Sequence, residues 1–130
     1  MSTKSRLLTI LLLTLMSIVL VSCSSAGEKI SANDYVARFS TEAHLLIDVR
    51  TPQEYAEGHI AGSVNIPVQV LEGALSQLPM DVPIVVYCRS GNRSGQAAQI
   101  LAKNKFTSVY DLGAISAWTQ AGYPLEYGSN

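Results

Sequence analysis

Apolar and polar positions along the chain switch repeatedly between a helical and an extended spacing. Apolar residues at helical spacing predict helices over residues 32–39, 70–78, 94–103 and 115–121. Apolar runs of strand length predict strands over residues 45–49, 62–67, 83–87 and 108–112. Because the two kinds of element alternate at short intervals, the chain is predicted to fold as one α/β unit.

Two local patterns mark the places where helices begin. Ser31 is followed three residues later by Asp34, and Thr51 is followed by Glu54 with Pro52 between them. A hydroxyl residue followed at this spacing by an acidic one is typical of a capping box, and proline is favoured in the first helical turn. The second pattern therefore predicts one further short helix, which ends near Gly58.

The strand predicted over residues 83–87 indicates what kind of sheet is present. This run is continuously apolar and contains Ile84, Val85 and Val86. Such a run is typical of a strand that is buried on both faces of a parallel sheet. The expected fold class is therefore α/β, with a small, mainly parallel sheet flanked by helices on both faces.

The first 22 residues have the pattern of a targeting segment. Lys4 and Arg6 precede a largely apolar run over residues 7–21, and Ser22 stands directly before Cys23. This order is typical of a secretory signal, and the run is short for a membrane span, which needs about 20 apolar residues. The Leu-Val-Ser-Cys sequence that ends at Cys23 resembles the lipobox of bacterial lipoproteins. An ordinary signal with a cysteine nearby and an uncleaved anchor are the alternatives.

The lipobox resemblance implies how the chain is divided and where the protein lies. The expected segments are a signal peptide at 1–22, a tether at 23–29, a folded domain at 30–126 and a tail at 127–130. A lipidated Cys23 would anchor the domain to a membrane of the cell envelope, facing the periplasm; the alternative is some other form of export. In enteric bacteria, an aspartate directly after the lipidated cysteine favours retention in the inner membrane. This chain has Ser24 at that position, which slightly favours the outer membrane.

Charge and cysteine usage narrow the possible functions. The chain has 9 basic and 10 acidic residues, and removal of Lys4 and Arg6 with the signal leaves 7 basic residues and a balance of −3. A nucleic-acid partner would require a basic patch, so none is expected. If Cys23 is lipidated, Cys88 is an unpaired thiol in an exported domain. The sequence has neither a Cys-x-x-Cys pair nor a Cys/His cluster with metal spacing, so no metal or cofactor is expected.

Candidate chemistry follows the strand predicted over residues 83–87. Cys88 ends this strand, and ligands of open α/β sheets bind at the carboxyl ends of strands. Small residues at 90–92 allow the backbone to curl so that its N–H groups form an anion-binding nest. The dipole of the next helix, Arg89 and Arg93 add positive potential, which favours the nucleophilic thiolate. The alternatives are a cysteine that only fills the core and arginines that only face solvent.

This segment resembles the six-residue active-site loop of the rhodanese family, with four residues between Cys88 and Arg93. Residues 48–55 and 58–67 resemble two further segments of the same family. In the second of these, Ser63 stands where alanine is usual. The resemblance therefore rests on several motifs in the family's order rather than on one loop.

The end of the chain also resembles this family. Gly113, Trp118 and residues 122–124 are similar to its closing motif, although the family often has a second glycine where this chain has Ala114. The resemblance covers about residues 30–126. It implies a sulfurtransferase that moves a sulfane sulfur through a cysteine persulfide.

The resemblance also implies roles for individual residues and partners. Cys88 is the expected nucleophile and sulfur carrier. The expected substrate-binding residues are Arg89, Ser90, Gly91, Asn92, Arg93 and Ser94. Asp48 and Arg50 are expected to support the site, either as a loop-fixing pair or by substrate contact. The expected partners are a small anionic donor such as thiosulfate and an acceptor that is cyanide, a thiol or a protein, and the protein is expected to be a monomer.

Three other functions remain as alternatives. A tyrosine-phosphatase-like or arsenate-reductase-like enzyme would also use a cysteine in an anion-binding loop. Those loops have five residues between the cysteine and the arginine, whereas this chain has four. A carrier or binding module would hold the persulfide for a partner protein without rapid turnover. A redox sensor would use the exposed thiolate, although no second cysteine is available to resolve an oxidised Cys88.

Overall fold

The computed structural model describes residues 26–129. The signal peptide, the lipobox and Cys23 lie outside the described residues, so their assignment stays a prediction. Within residues 26–129, no helix is both long enough and apolar enough to cross a membrane.

One sheet of five strands forms the centre of the domain. The strands are β1 (Glu28–Lys29), β2 (Leu45–Asp48), β3 (Val64–Asn65), β4 (Ile84–Cys88) and β5 (Val109–Ala114). Their spatial order is β1-β5-β4-β2-β3, and every neighbouring pair is parallel. β4 is central, and all of its residues are buried, as its apolar sequence predicts.

In the described part of the chain, five α-helices surround this sheet. They are α1 (Ala32–Phe39), α2 (Pro52–Glu57), α3 (Val68–Ala74), α4 (Asn92–Lys103) and α5 (Ile115–Gln120), with a short 3₁₀ turn (Leu75–Gln77) after α3. Ser31 and Thr51 cap α1 and α2 through their side-chain oxygens, as predicted. α3 and α4 each begin two residues earlier than expected, and the strand expected over 62–67 is limited to β3.

The two faces of the sheet bury separate hydrophobic cores. On one face, Val86 packs in a cluster with Leu101 of α4 and Leu71 of α3. On the other face, Val85 belongs to a cluster with Trp118 of α5. Side chains that alternate along β4 thus enter opposite cores, which confirms the predicted α/β sheet with helices on both faces.

The expected tether at 23–29 is in part a strand of the sheet. Glu28 and Lys29 pair with β5 in parallel, and Lys29 Nζ donates to the buried carboxylate of Asp111 at 2.5 Å. A strand of two exposed polar residues has no apolar pattern, so the sequence carries no signal for it. The folded part of the chain therefore begins before residue 30.

The expected tail is also partly fixed to the domain. Backbone hydrogen bonds of 2.8 Å join Glu126 and His59 in both directions, and the Gly128 N–H donates to the Ala56 carbonyl at 2.8 Å. Within the predicted tail at 127–130, Gly128 is therefore still held against the domain. These contacts are made by backbone atoms, which explains why side-chain patterns did not predict them.

β5 extends two residues beyond its predicted end at residue 112. Its register against β4 shifts at Leu112, since Val86 pairs with Asp111 whereas Tyr87 pairs with Gly113. This irregularity places Ala114 beside Cys88. Ala114 has an extended backbone with φ −81°, so alanine is accommodated where the family often has glycine.

Candidate active site

The segment from Cys88 to Ser94 curls around the Cys88 sulfur at the carboxyl end of β4. Cys88 is fully buried, and its Sγ accepts a hydrogen bond from the backbone N–H of Gly91 at 2.9 Å. Gly91 has φ 95°, in the left-handed region that favours glycine, and it caps the start of α4. The predicted curled loop is therefore present, with one backbone donor aimed at the sulfur.

Ser94 closes this loop from the first turn of α4. Its side chain is fully buried, and its Oγ lies 3.4 Å from Cys88 Sγ. The same hydroxyl donates to the Gly91 carbonyl oxygen at 3.1 Å. Cys88, Gly91 and Ser94 thus form a closed set of polar contacts around one sulfur atom.

The second arginine of the loop, Arg93, is held by a carboxylate. Arg93 Nη1 donates to Glu54 Oε2 at 2.7 Å, and Nη2 donates to Oε1 at 2.9 Å. This two-pronged pair lowers the pKa of Glu54 to about 2 and raises the pKa of Arg93. Arg93 therefore connects the loop to α2, and these two donors are not directed at a substrate in this structure.

Glu54 is a site residue that the sequence analysis missed. Its capping role is confirmed, because Glu54 Oε2 accepts from the Thr51 backbone N–H at 2.9 Å. The same carboxylate binds Arg93, which lies 39 positions further along the chain. The capping box revealed the helix start, but no local pattern indicated this distant partner.

Asp48 and Arg50 form a closed pair beside the loop. Arg50 Nε donates to Asp48 Oδ1 at 3.0 Å, and Arg50 Nη2 donates to Asp48 Oδ2 at 2.6 Å and to the Gly58 carbonyl at 2.6 Å. Both side chains are buried. Asn65 Nδ2 donates to the backbone carbonyls of both residues. These contacts agree with the loop-fixing interpretation of the pair.

Arg89 is placed differently from the other arginines near the site. Its residue is exposed, and within residues 26–129 its side chain has neither a hydrogen bond nor an ion pair. It lines an open cleft of about 310 Å³ together with Arg50, Glu54, Glu57, Gly58 and the apolar side chains of Ile115 and Leu125. Of the three arginines around the loop, Arg89 is therefore the one whose guanidinium no described residue binds.

The two remaining loop residues face solvent. Ser90 and Asn92 are exposed, and Asn92 Oδ1 accepts a hydrogen bond from Gln96 one turn later in α4. Their contact with substrate stays a prediction.

A buried tyrosine supports the strand that carries Cys88. Tyr87 Oη accepts from the Ile60 N–H at 3.0 Å and lies 3.0 Å from Ser63 Oγ, and Ser63 Oγ donates to the Ile60 carbonyl at 2.7 Å. Burial raises the pKa of Tyr87. Ser63, which replaces the usual alanine of the family, thus satisfies the hydroxyl of the residue before the nucleophile, on the opposite face of the sheet from Cys88.

The histidines occupy structural positions. His59 is buried, its ring stacks on Tyr55 at 3.7 Å, and its Nδ1 donates to the Tyr55 carbonyl at 2.9 Å. His44 is half-buried against Phe39 and forms a hydrogen bond with Tyr35 Oη at 2.8 Å. Across residues 26–129, no group of three His, Cys, Asp or Glu residues could hold a metal ion.

Comparison with known proteins identifies the family of this site. Residues 31–121 match the model of the rhodanese-like domain, and the chain therefore belongs to the rhodanese-like family. A sulfurtransferase of Allochromatium vinosum is 41% identical over 86 residues, which cover 65% of this chain and 80% of the relative.

Two further comparisons agree with this assignment. Thiosulfate sulfurtransferase GlpE of Shewanella oneidensis is 35% identical over 98 residues, which cover 75% of this chain and 97% of the relative. The crystal structure of a rhodanese-related protein from Thermoplasma volcanium has a TM-score of 0.69 and 34% identity, and the match covers 76% of this chain and 97% of that one. Fold and sequence thus support sulfur transfer as the general activity.

Proposed function

We propose that the protein is a sulfurtransferase in which Cys88 carries sulfur as a persulfide from thiosulfate, or a similar anionic donor, to a thiophilic acceptor. The observation that carries this proposal is the Gly91 N–H at 2.9 Å from Cys88 Sγ. A fixed backbone donor at this position stabilises a negative sulfur without reorganisation during the reaction. Sulfurtransferase relatives support the same conclusion.

The proposed reaction has two displacement steps. The Cys88 thiolate attacks the outer sulfur of thiosulfate, the sulfur–sulfur bond of the donor breaks, and sulfite leaves with the bonding electron pair. Cyanide or a thiolate then attacks the outer sulfur of the persulfide. The bond between the two sulfurs breaks, and Cys88 Sγ leaves with the electron pair as a thiolate. The cycle therefore needs neither a cofactor nor an external oxidant.

Arg89 and Arg93 have different proposed roles. Arg89 faces the cleft without a carboxylate partner in the described chain, so it attracts the anionic donor and the departing sulfite. Arg93 is paired with Glu54, so it fixes the loop that carries the Gly91 N–H. Arg93 is thus primarily a positioning residue in this proposal.

The cellular location is a further part of the proposal. A signal peptide at residues 1–22 and a lipidated Cys23 would attach the domain to a membrane of the cell envelope. Cys23→Ala in the full chain is expected to release the protein from the membrane fraction, which fractionation with an antibody measures. If the variant stays membrane-bound, lipidation of Cys23 is not the anchor.

Thiocyanate formation from thiosulfate and cyanide tests the proposed activity. We expect turnover by the wild type and none by Cys88→Ser, because a serine hydroxyl does not form a persulfide. Equal turnover by both proteins would contradict the proposal. Sulfur loading without thiocyanate formation would instead identify a persulfide carrier that needs a protein acceptor.

A further inference from the structure

Ser94 is the side chain that lies closest to the reactive sulfur within the loop. Its Oγ is 3.4 Å from Cys88 Sγ, with the thiol as donor, and 3.1 Å from the Gly91 carbonyl, with the hydroxyl as donor. Both Ser94 and Cys88 are fully buried. The two contacts therefore form consecutive hydrogen bonds, in which the Cys88 thiol donates to the Ser94 hydroxyl and this hydroxyl donates to the Gly91 carbonyl.

Loss of the thiol proton changes the hydrogen bonds that Cys88 and Ser94 can form. A thiolate has no proton to donate and accepts hydrogen bonds instead. The Ser94 hydroxyl carries one proton, so it can stabilise the thiolate only if this proton turns from the Gly91 carbonyl to the sulfur. The cost of that rotation decides whether Ser94 contributes to the reaction.

The structure supplies a second donor that lowers this cost. The Gly91 carbonyl also accepts the backbone N–H of Gly95 at 3.1 Å, as the first hydrogen bond of α4. When the Ser94 hydroxyl turns away, this half-buried carbonyl therefore keeps a partner. The Ser94 hydroxyl can therefore rotate at low cost, because the Gly91 carbonyl keeps the hydrogen bond from the Gly95 N–H.

We propose that the Ser94 hydroxyl is a second catalytic group of the site, which accepts from the Cys88 thiol at rest and turns to donate to the Cys88 thiolate. This proposal rests on the sulfur-transfer function proposed above. Ser94 and the Gly91 N–H then bind the thiolate together. They do so when the thiolate attacks the donor and again when it leaves the persulfide.

Alkylation of Cys88 by iodoacetamide, measured against pH, tests this role. A hydrogen bond to a charged acceptor is strong enough that Ser94→Ala should move the alkylation midpoint up by about one pH unit. The rate at high pH should change little, because both proteins are then fully in the thiolate form. An unchanged midpoint in folded Ser94→Ala would overturn the proposal.

Two further variants separate the hydroxyl from packing. Ser94→Thr keeps the hydroxyl, so its midpoint should stay close to that of the wild type. Ser76→Ala removes an exposed hydroxyl from the 3₁₀ turn and should leave the midpoint and the sulfur-loading rate unchanged. If Ser94→Thr moves the midpoint as far as Ser94→Ala, packing rather than the hydroxyl is responsible and the proposal fails.

Sulfur loading from thiosulfate, measured at a pH below both alkylation midpoints, completes the experiment. There Ser94→Ala should load Cys88 up to about tenfold more slowly than the wild type, because less thiolate is present. Alkylation requires no sulfur donor, so the two tests fail independently. A wild type that does not load sulfur would contradict the proposed function, whereas its alkylation midpoint would still decide the role of Ser94.

Discussion

Two neighbouring strand ends at one edge of the sheet are followed by arginine-containing turns, and the two turns are held in opposite ways. Asp48 at the end of β2 lies in register with Tyr87, the residue before Cys88. After β2, Arg50 is buried and donates to Asp48 and to the Gly58 carbonyl. After β4, the loop keeps Arg89 exposed at the cleft and aims a backbone N–H at sulfur.

This difference shows that the number of arginines near a site is a poor measure of its capacity to bind an anion. Arg50, Arg89 and Arg93 all lie around the same edge, but two of them are occupied by the carboxylates of Asp48 and Glu54. The pairs give the loop a fixed shape. In the proposed reaction, the unpaired guanidinium of Arg89 is left to attract the anionic donor, and the Gly91 N–H is left to stabilise the Cys88 sulfur.

The largest effect on stability is expected when the turn after β2 loses the guanidinium of Arg50. Arg50→Ala leaves the buried Asp48 carboxylate without its partner, so the free energy of unfolding should fall by about 3 kcal/mol. Urea denaturation followed by circular dichroism measures this change.

Glu42→Gln is the matched control for Arg50→Ala. It breaks the Arg38–Glu42 pair, in which the side chains are 43% and 42% exposed, so the free energy of unfolding should change far less than for Arg50→Ala. Equal losses for the two variants would show that the Asp48–Arg50 pair does not hold the turn.

A smaller effect, on substrate binding rather than on folding, is expected when Arg89 is removed from the loop after β4. Arg89→Ala should raise the KM for thiosulfate about tenfold, the size expected for one charge-assisted contact, and leave the stability unchanged. Steady-state thiocyanate formation measures KM. Lys103→Ala removes an exposed cation from the other end of α4 and should leave KM unchanged; an equal rise in both variants would indicate only general attraction of anions.

The smallest effect concerns the pair that joins the loop to α2. The folded-state pKa of Glu54 is lowered to about 2, so ionised Glu54 stabilises the fold above its unfolded pKa of about 4.3. This contribution is lost as the pH falls through about 2. Because the pair is partly exposed, Glu54→Gln should lower the free energy of unfolding by about 1 kcal/mol at pH 7.

Urea denaturation at several pH values tests this account of Glu54. The difference between the wild type and Glu54→Gln should shrink below about pH 4 and vanish towards pH 2. Glu57→Gln, at the exposed end of the same helix, should show no such trend. A constant difference across this range would mean that the charge of Glu54 is not what stabilises the loop.

Local patterns predicted the elements whose signals are local. The apolar run of β4, the Thr51 capping box and the position of Cys88 at a strand end all appear in the structure as expected. The Glu54–Arg93 pair could not be predicted, because its partners are 39 residues apart and each has a plausible local role. The fixed position of Gly128 escaped prediction because it is held by a backbone hydrogen bond, which leaves no side-chain pattern in the sequence.

Intact mass spectrometry of the folded domain after incubation with thiosulfate tests the central claim, that Cys88 is the sulfur carrier, most directly. We predict that the wild type gains the mass of one sulfur atom, that cyanide removes it, and that peptide mapping places it on Cys88. Cys88→Ser should gain nothing. Sulfur on the wild type that maps elsewhere, or an equal gain by Cys88→Ser, would contradict the account.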